Sequence, residues 1–251
     1  MPNSEVRIVP VPGMPEVVPG NDLPALIVAA ARAAGLEVVE RDVFVIAQKV
    51  VSKAEGRVVW LDSVKPSQRA EEWAARYGKD ARVVEAALRE SARVVRMERG
   101  VMICETRHGF ICANAGVDAS NAAAGTVILL PEDPDASARR IRTALEQAFG
   151  VRLAVIVADT FGRPWREGLT NVALGVAGIA PLIDYREQMD AHGRTLRVTV
   201  IATADEMASA AELVMKKTAG VPAAILRGCE YEMREASGRE LLRAPELDLF
   251  R

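Results

Sequence analysis

Two short apolar runs constrain this chain most: residues 42–47, DVFVIA, and residues 152–158, RLAVIVA. Each is rich in β-branched residues and continuous where a half-exposed strand would alternate, which is the signature of a buried strand. The first run delivers Gln48, Lys49, Ser52 and Lys53 at its carboxyl end. The second leads into VADTFGRPWREG at 157–168, where an acid, a hydroxyl, a glycine and two arginines flanking Pro164 and Trp165 follow in order. Polar residues that follow a buried strand are well placed for a site. Side by side, VFVIAQKVVSKAEGR and AVIVADTFGRPWREG share one design: an apolar run, two polar residues, then a glycine-bearing basic loop. That suits two related halves facing one site.

Strands and helices mix along the rest of the chain. Residues 6–11 alternate as a first strand, and PGMPEVVPGND is turn chemistry before Asp22, which caps a helix at 23–34. Helices are expected at 67–77, 80–94, 134–149 and 204–217, a hairpin at 101–113 turning at Arg107, His108 and Gly109, and a strand at 196–203. Asp118 and Asn121 sit in the loop GVDASNAAAG. No low-complexity linker divides the 251 residues, so 1–251 reads as one unit, with two interleaved subdomains of soft boundary as the finer expectation. With Lys plus Arg 32 against Asp plus Glu 34, no basic excess advertises nucleic acid or an anionic membrane. The N-terminus lacks a targeting pattern and no run approaches the ~20 apolar residues of a membrane helix, so a cytoplasmic protein is expected. The three cysteines, Cys104, Cys112 and Cys229, have neither disulfide nor zinc spacing. Six of the basic residues are Lys and the rest Arg, from which no function follows.

GxxxxGK[ST], GxGxxG and HExxH are all absent, so phosphate chemistry must be assembled differently. The candidate acids are Asp118, the Asp159–Thr160 pair, and Asp205, Glu206 and Glu212. Oxygen-rich clusters poor in His suit Mg²⁺ or Mn²⁺, which take one or two carboxylates and complete their shell with water and phosphate. Each acid has a structural competitor. Asp159 suits a turn cap and Asp118 an Asx turn; Thr203 with Glu206 fits a capping box, and Asp205 with Glu212 an ordinary solvated helix face. Lys49 and Lys53 are read in an extended loop, where a spacing of four means little. Arg163 and Arg166 suit bidentate capture of an anion, against a surface ion-pair loop with Trp165 packed in the core. His108 and His192 receive no role.

Taken together, GMPEVVPGNDL, QKVVSKAEGR, ANAGVDASN, ADTFGRPWREGLTNVALGVAG and DEMASAAELVMKK resemble the coenzyme F-420:L-glutamate ligases, also called gamma-glutamyl ligases, in order and spacing from Gly13 to Lys217. The resemblance implies an unusual, ligase-specific α+β fold with mixed sheets and helices, an intertwined homodimer, and no nitroreductase-like extension. It implies GTP-dependent attachment of L-glutamate to the lactyl carboxylate of a deazaflavin coenzyme precursor, then further γ-linked glutamates. Two divalent cations, Mg²⁺ or Mn²⁺, and a monovalent cation such as K⁺ are expected. Carried over residue by residue, Met14, Pro15, Glu16, Val17, Gln48, Lys53 and Asn121 contact GTP, and Asp118, Asp159 and Thr160 hold metal. Gln48 stands where many relatives carry Ser or Thr. Glu206, or its neighbour Asp205, is a further metal or nucleotide candidate. Asp118, Asp159 and Lys53 are then the catalytic set, with Arg163 and Arg166 as substrate contacts. Another metal-dependent amide ligase or kinase would use the same site, and a non-enzymatic nucleotide-binding regulator is the alternative class.

Overall fold

A computed structural model describes residues 5–249; the reading of the first residues as free of a targeting signal lies in part outside them. Strand β1 (Arg7–Pro10) precedes α1 (Leu23–Ala33), which Asp22 caps by accepting the Ala25 N–H. Strand β2 (Val43–Ala47) passes without a loop into α2 (Gln48–Ala54), followed by β3 (Val58–Trp60). Helices α3 (Gln68–Tyr77) and α4 (Ala81–Glu90) are capped by Ser67 and Asp80. A meander of β4 (Ser91–Glu98), β5 (Val101–Thr106) and β6 (Ile111–Ala113) leads to β7 (Thr126–Ile128) and α5 (Pro134–Phe149). The long pair β8 (Ala154–Arg163) and β9 (Arg166–Ala177) comes next, then β10 (Ile183–Asp184) and β11 (Val200–Ile201). Helix α6 (Thr203–Met215) and β12 (Ala223–Arg227) complete the main elements.

The two apolar runs are neighbours. The main sheet has the order β1-β12-β2-β8-β9, and β2 and β8 pair in parallel from Val43 opposite Ala154 to Ala47 opposite Ala158. The other pairings in it are antiparallel. Both faces are covered, which is why neither run alternates in polarity. Phe44, Ile46, Val155 and Val157 pack with Ile27, Ile141 and Leu145 of α1 and α5, while Val43, Val45, Ala154 and Ile156 pack with Met207, Ala208 and Ala211 of α6. A second core, around Ala87, Met102, Cys104, Val117 and Val127, holds the β3–β7 pair and the β4-β5-β6 sheet against α4. The chain is thus a mixed α+β fold with several sheets. Among the described residues no helix is long and apolar enough to cross a membrane.

Several expectations are corrected. The helix from Asp80 stops at Glu90, because Ser91–Glu98 finds a ladder partner in β5. Strand β8 does not stop at Ala158 but runs on to Arg163: β9 pairs with it, setting Asp159 opposite Val172 and Thr160 opposite Asn171. The acid and hydroxyl are therefore inside a strand and not in a turn. Lys49 and Lys53 lie on α2, where a spacing of four puts both on one face. The strand expected at 196–203 shrinks to Val200–Ile201, for which the two residues of β10 are the ladder partner. The capping box at Thr203 and Glu206 does not form; Ala202 occupies the cap position, and the Thr203 hydroxyl is buried without a hydrogen-bond partner.

Candidate functional site

A cleft of about 370 Å³ opens beyond the carboxyl ends of β2 and β8, the place where open sheets with parallel strands present ligand sites. Residues Met14 to Val17 form one wall, Gln48, Lys49 and Lys53 of α2 another, and Asp159, Thr160 and Asn171 of the β8–β9 pair the floor. Asn121 reaches in from the loop after β6, and the segment from Met215 to Pro222 closes the remaining side. The parallel register explains this convergence. With Ala47 opposite Ala158, the next residues along the two chains, Gln48 and Asp159, emerge at the same level.

On α2 the side chains divide the work. Gln48 is buried, and its amide nitrogen donates to Ser52 Oγ at 2.6 Å and to the Leu129 carbonyl at 3.0 Å, which fixes it against the second core. Lys49 Nζ lies 2.7 Å from Asp118 Oδ2 and also donates to Ser120 Oγ. Lys53, one turn later, pairs with Glu16 at 2.5 Å, with its own side chain 12% exposed and that of Glu16 77% exposed. A nearly enclosed ammonium faces a loosely held acid.

The two aspartates differ in environment. Asp118 accepts the Ser120 N–H at 2.7 Å and the Ser120 hydroxyl at 2.9 Å, so the Asx-turn geometry and the site position coexist. Burial pushes its carboxyl up, but Lys49 and Ser120 together hold it below the ordinary range. Asp159 behaves oppositely. Desolvation pushes it up to about 6 against the opposing pull of the Thr160 N–H, Lys49 and Lys217, and the charge of Asp118 adds to the rise. Asp159 is desolvated and within electrostatic reach of Asp118, and carboxylates are the donors that a divalent cation takes, with water and phosphate completing its shell. Among the described residues no three His, Cys, Asp or Glu side chains gather into a larger metal-holding group.

Other expected residues lie elsewhere. Arg163 and Arg166 close the tip of the β8–β9 hairpin, paired across Pro164 and Trp165, and neither lines the cleft. Arg163 donates to the Glu167 carbonyl at 2.9 Å, and Trp165 is 80% exposed, so the expected core packing of that ring is absent too. Glu206 faces solvent outside the cleft, and Asp205 is taken by the backbone, accepting the Ala173 N–H at 2.8 Å. The helix face carrying Asp205 and Glu212 therefore abuts β9 and is not the solvated face expected.

Sequence reasoning missed Asn171, Lys216 and Lys217, and of the candidate acids on α6 it is Glu212 that lines the cleft. Thr160 donates its hydroxyl proton to Asn171 Oδ1 at 2.6 Å, Asn171 Nδ2 donates to Glu212 Oε2 at 3.2 Å, and Lys217 Nζ donates to Thr160 Oγ1. One signal was available: of the six lysines in the chain, Lys49, Lys53, Lys216 and Lys217 line this cleft, and among the described residues no arginine does. In a chain otherwise rich in Arg, that segregation gathers compact point charges in the cleft.

Residues 13–228 match the family described as F420-0:Gamma-glutamyl ligase. The chain is 46% identical over 249 residues to the Coenzyme F420:L-glutamate ligase of Methanothermobacter thermautotrophicus, covering 98% of this chain and 99% of that protein. It is 48% identical over 251 residues to the Methanopyrus kandleri protein of the same name, covering 98% of each. The Archaeoglobus fulgidus protein of that name is 39% identical over 247 residues, covering 98% of this chain and 96% of that one.

Proposed function

The chain belongs to the F420-0:gamma-glutamyl ligase family, and from that membership we propose that it joins L-glutamate to the lactyl carboxylate of a deazaflavin coenzyme precursor at the expense of GTP. The observation that carries the nucleotide part of this reading is the gathering of four lysines in the cleft that Asp159 enters from β8, one of them paired with Asp118.

A carboxylate is a poor acylating agent because oxide is a poor leaving group. In the proposed route a carboxylate oxygen of the acceptor attacks the γ-phosphorus of GTP, GDP departs, and an acyl phosphate forms. The amine of glutamate then attacks the acyl carbon, inorganic phosphate leaves with the C–O bond electrons, and the nitrogen sheds a proton to solvent. A divalent cation, when bound, neutralises phosphoryl charge as it develops. Asp118 and Asp159 are the residues that would hold it. Lys53 exchanges the exposed Glu16 for triphosphate oxygens, and Lys49, one turn earlier on the same face of α2, would face the same anion if Asp118 held a cation instead. Gln48, with its amide nitrogen engaged inside the protein, offers a ligand its carbonyl oxygen. Alignment and charge neutralisation supply the catalysis, with no covalent help from the protein.

The same reading includes repeated γ-linked addition, a monovalent cation, an intertwined homodimer and a cytoplasmic location. Arg163 and Arg166, at a hairpin tip away from the cleft, receive no substrate contact in it. The test is mass spectrometry of the deazaflavin after incubation with GTP, Mn²⁺ and L-glutamate. The expected product carries one or more added glutamyl masses. An unmodified acceptor, with no GDP released, would refute the proposal.

A further inference from the structure

Thr160 and Asn171 face each other across the β8–β9 ladder because β9 carries one residue more than β8 in mid-strand. Val157 stands opposite Gly175 but Ala158 opposite Ala173, so Leu174 has no opposite number. Continued in the register of Val155 and Ala177, the ladder would set Thr160 against Val172; the irregularity sets it against Asn171. An extra residue of this kind re-aims side chains beside a site. Asn171 is 4% exposed, and the Ser209 hydroxyl of α6 donates to its carbonyl at 2.8 Å, which ties strand and helix together at this residue.

The hydrogen bonds around the Asn171 side chain have one sense only. Glu212, as a carboxylate, accepts and cannot donate, so the amide nitrogen faces it at 3.2 Å and the amide oxygen faces Thr160 at 2.6 Å. The Thr160 hydroxyl must therefore give its proton to Asn171, and both lone pairs of its oxygen turn to the cleft. There Lys217 Nζ donates to it, and the same oxygen can accept a metal ion in the place of that ammonium. With the amide reversed, the hydroxyl would accept from the nitrogen and aim its own proton into the cleft, against any cation.

We propose that Asn171 is a positioning residue of this site: gripping Glu212 through its nitrogen and Thr160 through its oxygen, it makes the Thr160 hydroxyl a pure acceptor for a divalent cation on that side of the cleft. Asn171 touches neither the ion nor the nucleotide. Its part is to settle, before any ligand arrives, which way the hydroxyl proton points and where the Glu212 carboxylate lies, as the outer partners of metal ligands do.

The proposal rests on the metal-dependent reading above, and a double-mutant cycle separates the two. Mn²⁺ affinity is titrated by the electron paramagnetic resonance signal of the free ion, with protein saturated by a β,γ-imido analogue of GTP, for wild type, Thr160→Val, Asn171→Leu and the double variant. Thr160→Val defines the affinity that depends on the hydroxyl. Asn171→Leu is expected to weaken Mn²⁺ by roughly ten- to a hundredfold, and the double variant to bind it no more weakly than Thr160→Val, because Asn171 acts through that hydroxyl. Asn171→Asp, which keeps an acceptor for the Thr160 proton, is expected to retain most of the affinity, and it carries the test if Asn171→Leu does not fold. Urea midpoints in chelator are measured alongside, since a merely structural asparagine would lower them and leave Mn²⁺ affinity unchanged. Losses that add in the double variant, an unchanged affinity in Thr160→Val or Asn171→Leu, or a fall in Asn171→Asp as deep as in Thr160→Val overturns the role of Asn171. Wild type that binds no Mn²⁺ beyond that held by the free analogue overturns the metal-dependent reading, and this role with it.

Discussion

Replacing Asp159 by Asn should destroy the proposed ligation and at the same time make the metal-free protein more stable. Desolvation lifts this carboxyl from 3.8 to about 6, so above that pH the folded protein holds a charge that the unfolded chain would hold more comfortably in water. The sign follows from linkage. Between the two values the native state binds more protons than the unfolded state, so stability falls as pH rises, and the penalty is complete above about 6. At ~1.4 kcal/mol per pH unit the rise corresponds to about 3 kcal/mol. Asn fills nearly the same volume without the charge, so it removes the penalty at neutral pH and has little to remove below pH 4. Urea denaturation in the presence of a chelator, at pH 7.5 and again at pH 4, measures the difference. A gain of a few kcal/mol at the higher pH that shrinks in acid is expected, alongside a loss of glutamyl transfer on the order of a hundredfold or more. A variant less stable than wild type at both pH values would refute the reasoning, since the carboxylate would then be held by partners and not strained by their lack.

Lys53→Ala removes a charge-assisted contact worth about 1.5–3 kcal/mol, so GTP affinity by calorimetry should fall roughly ten- to a hundredfold; unchanged affinity would return Lys53 to a simple partner of Glu16. Because Arg163 and Arg166 sit outside the cleft, Arg163→Lys and Arg166→Lys should leave GTP affinity within about twofold and stability within about 0.5 kcal/mol, and a selective loss in acceptor or glutamate kinetics would reinstate them as substrate contacts. At Gly175 an added Cβ would stand 2.3 Å from the carbonyl carbon and oxygen of Pro134, so Gly175→Ala should lower stability by about 1–3 kcal/mol or more through overpacking, read as an earlier urea midpoint.

The parts of this fold legible in the sequence are those in which local chemistry and tertiary role agree. The runs at 42–47 and 152–158 are apolar on both faces because both faces are covered, and the residues after them reach a common cleft because the two strands run parallel in register. The helix of Lys49 and Lys53 was illegible because it is only seven residues long and begins without a capping side chain. Asn171, and the turning of Glu212 towards it, were illegible for another reason. Their place depends on the register of β9 against β8, including the irregularity between Val157 and Ala158, and no local pattern encodes that. The DTFGRPWREG segment misdirects in part: its acid and hydroxyl enter the cleft, but the extended hairpin carries its arginines away. Lys216 and Lys217 fall inside the helix expected at 204–217, whereas the helix ends at Met215 and both line the cleft, and only the scarcity of lysine elsewhere distinguished them.

The strand order has a consequence for how such a chain survives its own synthesis. Strand β12, the last of the sheet, lies between β1 and β2 and pairs with both. Until residue 227 has left the ribosome, β2 presents one unpaired backbone edge along an apolar run of five residues, and β1 has no sheet partner at all. Open edges of this kind recruit other strands, so the nascent chain is exposed to aggregation for most of its translation. Truncation before β12 should therefore yield insoluble chains, whatever remains intact in the lobe built from residues 58 to 130. The sheet cannot be finished from one end; its centre is filled last.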